Sequence, residues 1–259
     1  MKSRCRVIAV GNQKGGVGKT VTTINIGACL ASFGKKVLLI DMDPQANLTK
    51  SAGLSEYKSS VYNLLLSNET NAQTVIYPTK FKNLHIIPSH IDLSSAEIEM
   101  VPLYGREFLL KKRLADIVQD YDFIIIDCPP SLSLLMVNAL TTAKELLIPV
   151  QAHHFALEGL SKLMDIFDII KGEMNEDLNL LGVVVTMFDP RTRVSKDALN
   201  TLKQNPRIKN KLFNTIVHTN VKLVESGKKG LPIIYYRKNC HGSKAYTALA
   251  KEILSKPAR

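Results

Sequence analysis

Tryptophan is missing altogether and aromatic residues make up only 6% of the chain, which excludes a core built on large rings. With 45% apolar residues over 259 positions, the interior has to come from Val, Ile, Leu and Ala, the set favoured by parallel strands buried on both faces. Cysteine is sparse as well. Cys5, Cys29, Cys128 and Cys240 stand far apart, with no CxxC pair and no histidine at ligand spacing, which argues against a zinc site and a disulfide framework. Long hydrophobic runs are also lacking. The opening MKSRCRVIAVGN reaches polar Asn12 and Gln13 after a few apolar residues, well short of a secretory core or a membrane span, so the expected location is cytoplasmic. No repeat, low-complexity tract or linker-like stretch interrupts the chain, and its periodic segments suggest one domain over 1–259.

What is present alternates. Arg6–Asn12 (RVIAVGN) reads as a first strand, TVTTINIGACLASFG as the helix behind it, ended by Gly34, and VLLID as a second strand ended by Asp41. From Met42 to Asn83 the pattern loosens, with helical turns in SSVYNLLLS, followed by the short apolar run LHIIPS. A helical stretch with Asp92, Glu97 and Glu99 on its acidic side comes next, then a helix from about Arg106 to Val118. FIIID, SLLMVNALTTA, ELLIPV, LEGLSKLMDIFDIIKG and LLGVVVTM then read as strand, helix, strand, helix, strand. Strands separated by such helices mean right-handed crossovers and an α/β fold: a doubly wound, mostly parallel sheet with helices on both faces. Ligands of such sheets sit at the carboxyl ends of the strands.

The charge is unevenly placed. Of the net +11, the stretch Asp189–Arg259 holds sixteen Lys or Arg against four carboxylates, a local +12, while everything before it sums to −1. A basic region of this kind points to a polyanion. It has no recognition-helix signature, zinc spacing or basic-aromatic interleaving, so contact with phosphates of duplex DNA without sequence readout is the expectation.

The chemistry is carried by Gly11-Asn12-Gln13-Lys14-Gly15-Gly16-Val17-Gly18-Lys19-Thr20, between the first strand and its helix. Glycines let consecutive amides converge on phosphate oxygens, and the helix N-terminus adds its positive end. The expected cradle is Gly15, Gly16, Val17, Gly18, Lys19, Thr20 and Val21, with Lys19 reaching the β- and γ-phosphates of ATP and the Thr20 hydroxyl ligating Mg2+. Two apolar strands end in acid, at Asp41-Met42-Asp43 and at Asp127-Cys128-Pro129-Pro130. Beside a phosphate loop, Asp127 fits the carboxylate that supports Mg2+ and its waters.

The position of the common motif's first glycine holds Gln13, and K-G-G-V-G-K-T follows. In this the sequence resembles the deviant-Walker ATPases, the ParA/MinD class. The resemblance implies that Lys14 contacts nucleotide across the interface of an ATP-dependent homodimer, that Asp43 orients the attacking water, and that Asp41 lies near the magnesium shell. DMDPQ-N, DCPPS, VTMFDPRT, NVKLVESGKKGLPI and HGSKAYTALAKEI look like ParA rather than its relatives and extend the resemblance over nearly the whole chain. It implies Mg-dependent ATP hydrolysis with slow basal turnover and ATP-dependent, nonspecific DNA binding on the nucleoid. It also implies release by a ParB-like centromere-binding partner, with no membrane involved. Arg191 and Lys222 occupy basic positions of the pattern and are the expected DNA contacts. At Thr219 many members have Arg and at Gly227 many have Pro, two departures that bear on that face. Without the N-terminal extension of the larger plasmid proteins, operator-specific autorepression is not expected.

Other readings stay open at this stage. A MinD-like membrane-positioning ATPase needs an amphipathic tail, whereas the last helix runs into LSKPAR. A nitrogenase-reductase-like carrier needs cluster cysteines, and Cys128 has no partner nearby in sequence. A DNA-binding regulator that uses ATP only as a switch would need no hydrolysis.

Overall fold

Alternate side chains of the central strands feed two separate cores. In the computed structural model, which describes residues 5–153 and 156–257, Val7 and Ala9 enter one core with Leu38, Ile40, Ile124 and Ile126. Their neighbours Ile8 and Val10 enter the other with Val37, Leu39, Phe123 and Ile125. Period-two alternation with both faces apolar is what a sheet between two helical layers requires.

The elements follow in the order β1 (Arg6–Val10), α1 (Lys19–Ser32), β2 (Val37–Asp41), α2 (Asn47–Ser51), α3 (Val61–Leu66), β3 (Tyr77–Pro78), β4 (Leu84–Ile87), α4 (Leu93–Glu99), α5 (Leu109–Leu114) and β5 (Phe123–Asp127). After these come α6 (Leu134–Thr142), β6 (Glu145–Gln151), α7 (Ala156–Glu173), β7 (Asn179–Phe188), α8 (Arg193–Gln204), β8 (Leu212–His218), α9 (Val221–Lys228), α10 (Ile233–Tyr236) and α11 (His241–Ser255). The strands form one sheet in the order β3-β4-β2-β5-β1-β6-β7-β8. Every pairing is parallel except that of the short edge strand β3 with β4. Residues of α3 to α8 fill the first core, and α1, α2, α9, α10 and α11 cover the second. The fold is therefore the doubly wound α/β sheet expected from the alternation.

Consecutive strands β5 and β6 lie on opposite sides of β1, so the carboxyl end of β1 opens into the crevice where such sheets take ligands. At its other end β1 is fastened by a buried charge pair. The Arg6 guanidinium donates Nε to Glu145 Oε2 at 2.7 Å and Nη2 to Oε1 at 2.8 Å. Its Nη1 donates to the Ile253 carbonyl of α11 at 2.7 Å.

The structure corrects the chain reading in three places. β1 stops at Val10, because the Gly11 amide turns to the Leu147 carbonyl at 3.1 Å and Asn12 already belongs to the loop. The helix expected from about Arg106 to Val118 is a single 3-10 turn (Arg106–Phe108), then α5, then another 3-10 turn at Val118–Asp120. Side chains of α6 intercept its backbone: Asn138 donates to the Arg106 carbonyl and accepts from the Leu110 amide, and the Thr141 hydroxyl donates to the Glu107 carbonyl. Strand β8 was not foreseen. It is an edge strand whose apolar residues fall in two adjacent pairs, Leu212-Phe213 and Ile216-Val217, split by Asn214-Thr215, with Phe213 and Val217 buried and Asn214 and His218 exposed, so neither strict alternation nor an unbroken apolar run marks it. α11 ends at Ser255; Ala258 and Arg259, at the end of LSKPAR, lie outside the described residues.

Candidate nucleotide site

The loop after β1 is clamped from both sides. Asn12, 2% exposed, donates Nδ2 to the Pro149 carbonyl of β6 at 2.7 Å and accepts the Lys14 amide on Oδ1 at 3.0 Å. Across the loop, the Thr186 hydroxyl of β7 donates to the Val17 carbonyl at 2.8 Å. Neither Asn12 nor Thr186 stood out from the sequence, since neither carries reaction chemistry; both act on the loop's backbone. Gly16 and Gly18 have φ of 74° and 87°, a left-handed conformation that side chains resist. Alternation into that region turns successive amides inward as an anion-binding nest. Gly18 caps α1, whose first turn holds no carboxylate, so the positive end of the helix is left for a ligand.

Lys19 opens α1 and is 7% exposed, with Nζ donating to the Lys14 carbonyl at 3.1 Å. Burial lowers its pKa, and the charges of Asp127 and Asp43 oppose that. Asp127 ends β5 directly beside Val10 of β1 and Asp41 of β2. Both carboxylates are fully buried, yet they are held differently. Asp41 accepts the Thr49 amide at 2.8 Å and hydroxyl at 2.7 Å on Oδ2, and the Asp43 amide at 3.2 Å on Oδ1. Asp127 accepts the Thr23 hydroxyl on Oδ1 at 3.2 Å, while Oδ2 has no hydrogen-bond partner among the described residues. Burial pushes both pKa values up. For Asp127 the adjacent Asp41 charge adds to this, against the pull of Thr20, Lys19 and Thr23; for Asp41 the hydrogen bonds from Thr49 and Asp43 oppose it.

An orphaned buried carboxylate oxygen beside a second carboxylate calls for a cation. Among the described residues no group of three or more His, Cys, Asp or Glu could hold a metal alone. Mg2+ at nucleotide sites is held by one or two protein ligands together with waters and substrate phosphates. Asp127 and Thr20 therefore fit the metal side of the site and Lys19 with the glycine nest fits the phosphates. Asp41 is occupied by the protein itself. Asp43 is 8% exposed; its Oδ1 accepts the Gln45 amide at 3.0 Å, and Oδ2 takes no hydrogen bond from the described residues.

A pocket of about 230 Å³ adjoins the loop, lined by Gly18, Val21, Met187, Val217, Val221 and Val224 among others. Its walls are mostly aliphatic. Met187 adopts a left-handed φ of 50° there, a strained conformation for a non-glycine residue of the kind that clusters at ligand sites. Val21 was part of the expected cradle. The segments holding Met187 and Val217–Val224 stood out only as part of a family pattern, because apolar residues at strand ends look like core in a sequence. Thr219 lies on this pocket.

The two expected DNA contacts are each paired with a carboxylate on their own segment. Arg191 donates Nε and Nη2 to Asp189 at 3.0 and 2.8 Å, and Lys222 donates Nζ to Glu225 at 3.0 and 2.8 Å. A groove of about 700 Å³ elsewhere, between α1, α10 and α11, is lined by Lys238, Lys244 and Lys251 with Tyr235 and Asn239. Those three lysines make no ion pair among the described residues.

The switch-point crevice, the glycine nest and the buried lysine define a P-loop nucleotide-binding protein. A family model described as an AAA domain matches residues 5–180. The chain is 44% identical over 250 residues to the sporulation initiation inhibitor protein Soj of Bacillus subtilis (strain 168), covering 96% of this chain and 98% of that protein. It is 44% identical over 245 residues to the chromosome-partitioning ATPase Soj of Treponema pallidum (strain Nichols), covering 95% of each. Among solved structures, cobyrinic acid a,c-diamide synthase of Mycobacterium smegmatis with bound ATP analog and magnesium superposes with a TM-score of 0.81 at 34% identity, over 96% of this chain and 94% of that one. This chain belongs to the ParA/Soj family of partition ATPases.

Proposed function

We propose that this protein is a DNA-partition ATPase that binds Mg-ATP at the β1–α1 loop, closes into a dimer, and in that state holds duplex DNA without sequence preference. The observation that carries the reading is the fully buried Asp127 Oδ2, without a hydrogen-bond partner among the described residues, at the crevice with Lys19. Relationship to partition proteins over almost the full chain supports the biological role. On this reading the triphosphate lies on Gly15–Thr20, Lys19 spans its terminal phosphates, and the base enters the aliphatic pocket at Met187 and Val221. Thr20 and Asp127 hold the metal side. When bound, Mg2+ neutralises the phosphate oxygens and lowers the cost of charge developing during transfer.

Hydrolysis transfers the γ-phosphoryl group to water and leaves ADP. Asp43 has a carboxylate oxygen available for that water, and Lys14 of a second copy places its ammonium at the bridging oxygens, where negative charge accumulates. Basal turnover is slow until a ParB-like centromere-binding partner stimulates it. The surface offered to a second copy includes exposed apolar side chains before, on and after α4: Ile91, Ile98, Val101 and Tyr104 are 55%, 76%, 57% and 101% exposed. The helix α4 is tied to the first turn of α6, which follows the loop after Asp127, because Glu97 accepts the Leu135 amide at 3.4 Å. Exposed apolar surface of this extent marks an interaction face.

DNA contact on this reading rests on the basic groove at Lys238, Lys244 and Lys251, with Arg191 and Lys222 contributing to the field. A dimer doubles the basic surface, which links nucleotide state to DNA affinity. Neutralising about six phosphates gives a loss on the order of a thousandfold in affinity from low to moderate salt. The test is binding to an arbitrary duplex with ATP, ADP and no nucleotide, for the wild type, Lys14→Ala and Lys19→Ala. Tight binding with ATP alone, lost in both variants, is expected; equal binding in all three nucleotide states would remove the central step.

A further inference from the structure

We infer that Thr49 is a positioning residue for hydrolysis, holding Asp41 turned into the protein so that Asp43 keeps its aim. The inference rests on the proposed role of Asp43 in orienting water. Thr49 lies on α2, eight residues beyond Asp41, and is 1% exposed. Its amide and hydroxyl both donate to Asp41 Oδ2, at 2.8 and 2.7 Å. The same hydroxyl accepts the Ser89 amide, just past β4, at 3.0 Å. One oxygen therefore joins the ends of two neighbouring strands to the helix that follows the Asp43 turn.

The consequence for Asp43 runs through the backbone. With Oδ2 fixed by Thr49, Asp41 Oδ1 accepts the Asp43 amide at 3.2 Å. The chain then folds tightly, the Gln45 amide donating to Asp43 Oδ1 at 3.0 Å and the Ala46 amide to the Asp43 carbonyl at 2.9 Å, with Ala46 at a left-handed φ of 53°. The loop is thus closed at both ends, by Asp41 where it starts and by Thr49 where α2 begins to pack. Without the Thr49 hydroxyl, Asp41 loses one of its three donors and the Ser89 amide loses its acceptor, both in a dry interior. A carboxylate with one donor fewer is less firmly oriented, and the peptide carrying Asp43, whose amide it accepts, moves with it.

The hydroxyl both donates and accepts, so Val copies the shape of Thr49 without its function, while Ser keeps the function with one methyl less. Thr49 lines neither the glycine nest nor the aliphatic pocket, and nucleotide affinity is not expected to depend on it. A displacement of about 1 Å at a reacting group costs on the order of a hundredfold in rate.

The test is steady-state ATP hydrolysis with Mg2+ by the full chain, with binding of a fluorescent ATP analogue measured in parallel, for the wild type, Thr49→Val, Thr49→Ala, Thr49→Ser and Asp43→Ala. Expected is a fall in kcat of about thirtyfold to a hundredfold in Thr49→Val, with KM and analogue affinity within about threefold of wild type, and recovery in Thr49→Ser. Should Thr49→Val fail to fold, as judged by loss of analogue binding, Thr49→Ala carries the same expectation without added bulk. A KM effect at unchanged kcat, or kcat within threefold in both hydroxyl-free variants while Asp43→Ala is slow, overturns the inference and leaves the proposed function standing. An unchanged kcat in Asp43→Ala overturns the role assigned to Asp43 and this inference with it.

Discussion

The two ends of strand β1 bury charge in opposite ways. At its start, Arg6 and Glu145 are 7% and 4% exposed. They meet through two parallel hydrogen bonds, and a third from Arg6 reaches the Ile253 carbonyl. At its finish, Asp127 and Asp41 are fully buried side by side, and Asp127 Oδ2 has no hydrogen-bond partner among the described residues. A buried charge with all its partners in the chain contributes to the fold and asks nothing of solution. One lacking a partner is a standing cost that a ligand removes. The sheet thus separates the two duties by its length, with cohesion at the amino end and chemistry at the carboxyl end.

The contrast breaks if a change at one end produces the other end's effect. Lys19→Ala should give the largest change at the carboxyl end: a cation on a transferring phosphate is worth about 10³–10⁵ in rate. ATP hydrolysis is expected to fall by that order while the midpoint of urea unfolding without nucleotide moves little. Retained hydrolysis would show that Lys19 is not at the phosphates.

Glu145→Ala is the mirror experiment. Removing one partner of a buried ion pair leaves the other unpaired and costs about 3–5 kcal/mol of stability. The expected result is a large drop in the unfolding midpoint, with kcat close to wild type at a temperature where the variant is folded. A kcat loss exceeding the loss of folded protein would mean that the two ends communicate.

A third region sharpens the comparison, because the basic C-terminal third carries its charge exposed. Arg191 and Lys222 are each matched by a nearby carboxylate, whereas Lys238, Lys244 and Lys251 make no ion pair among the described residues. Replacing Lys244 and Lys251 together with Ala should reduce the salt slope of DNA binding by about 2, roughly one for each phosphate that is no longer neutralised. Arg191→Ala with Lys222→Ala should change it less, since each removes a cation already half neutralised. Gel shifts or anisotropy titrations across a salt series distinguish the two pairs, and the reverse ranking would return the DNA face to the region around α9.

Much of this was readable along the chain, and the reason differs by element. Buried strands such as Val37–Asp41 and Phe123–Asp127 announce themselves because both faces are apolar, and Gly16, Gly18 and Lys19 because phosphate chemistry demands those residue types at that spacing. Strand β8 escaped because an edge strand buries too few of its residues to leave a run. The helix read from about Arg106 to Val118 shortens to α5 because Asn138 and Thr141, about thirty residues away, take the hydrogen bonds that a longer helix needs, and no local pattern reports such competition. At the site, the sequence and the family resemblance assign Asp127 to the metal, Asp43 to the water and Asp41 to the magnesium shell, without saying what holds each carboxylate. Only the fold shows that Asp41 is occupied by Thr49 while Asp127 is left open, since hydrogen-bond partners eight residues or two strands away have no signature in spacing.

The smallest expected effect follows from that same difference. In the protein free of nucleotide and metal, burial raises the pKa values of Asp127 and Asp41 above their unfolded values. Around neutral pH the folded chain then binds more protons than the unfolded one, so its stability is greatest on the acid side and declines as pH rises through the raised values. For one proton the slope cannot exceed about 1.4 kcal/mol per pH unit, and mutual coupling spreads it over a wider range. This is the opposite of an ion-paired carboxylate, which gains stability with rising pH. Urea titrations over the neutral range should show that decline. Saturating Mg-ADP should flatten it, because the cation favours the ionised pair, and Asp127→Asn should remove most of it by leaving a single carboxylate held by Thr49. If stability instead rises with pH in the unliganded wild type, the two acids already have their counter-charge within the chain, and the carboxyl end of β1 resembles its amino end after all.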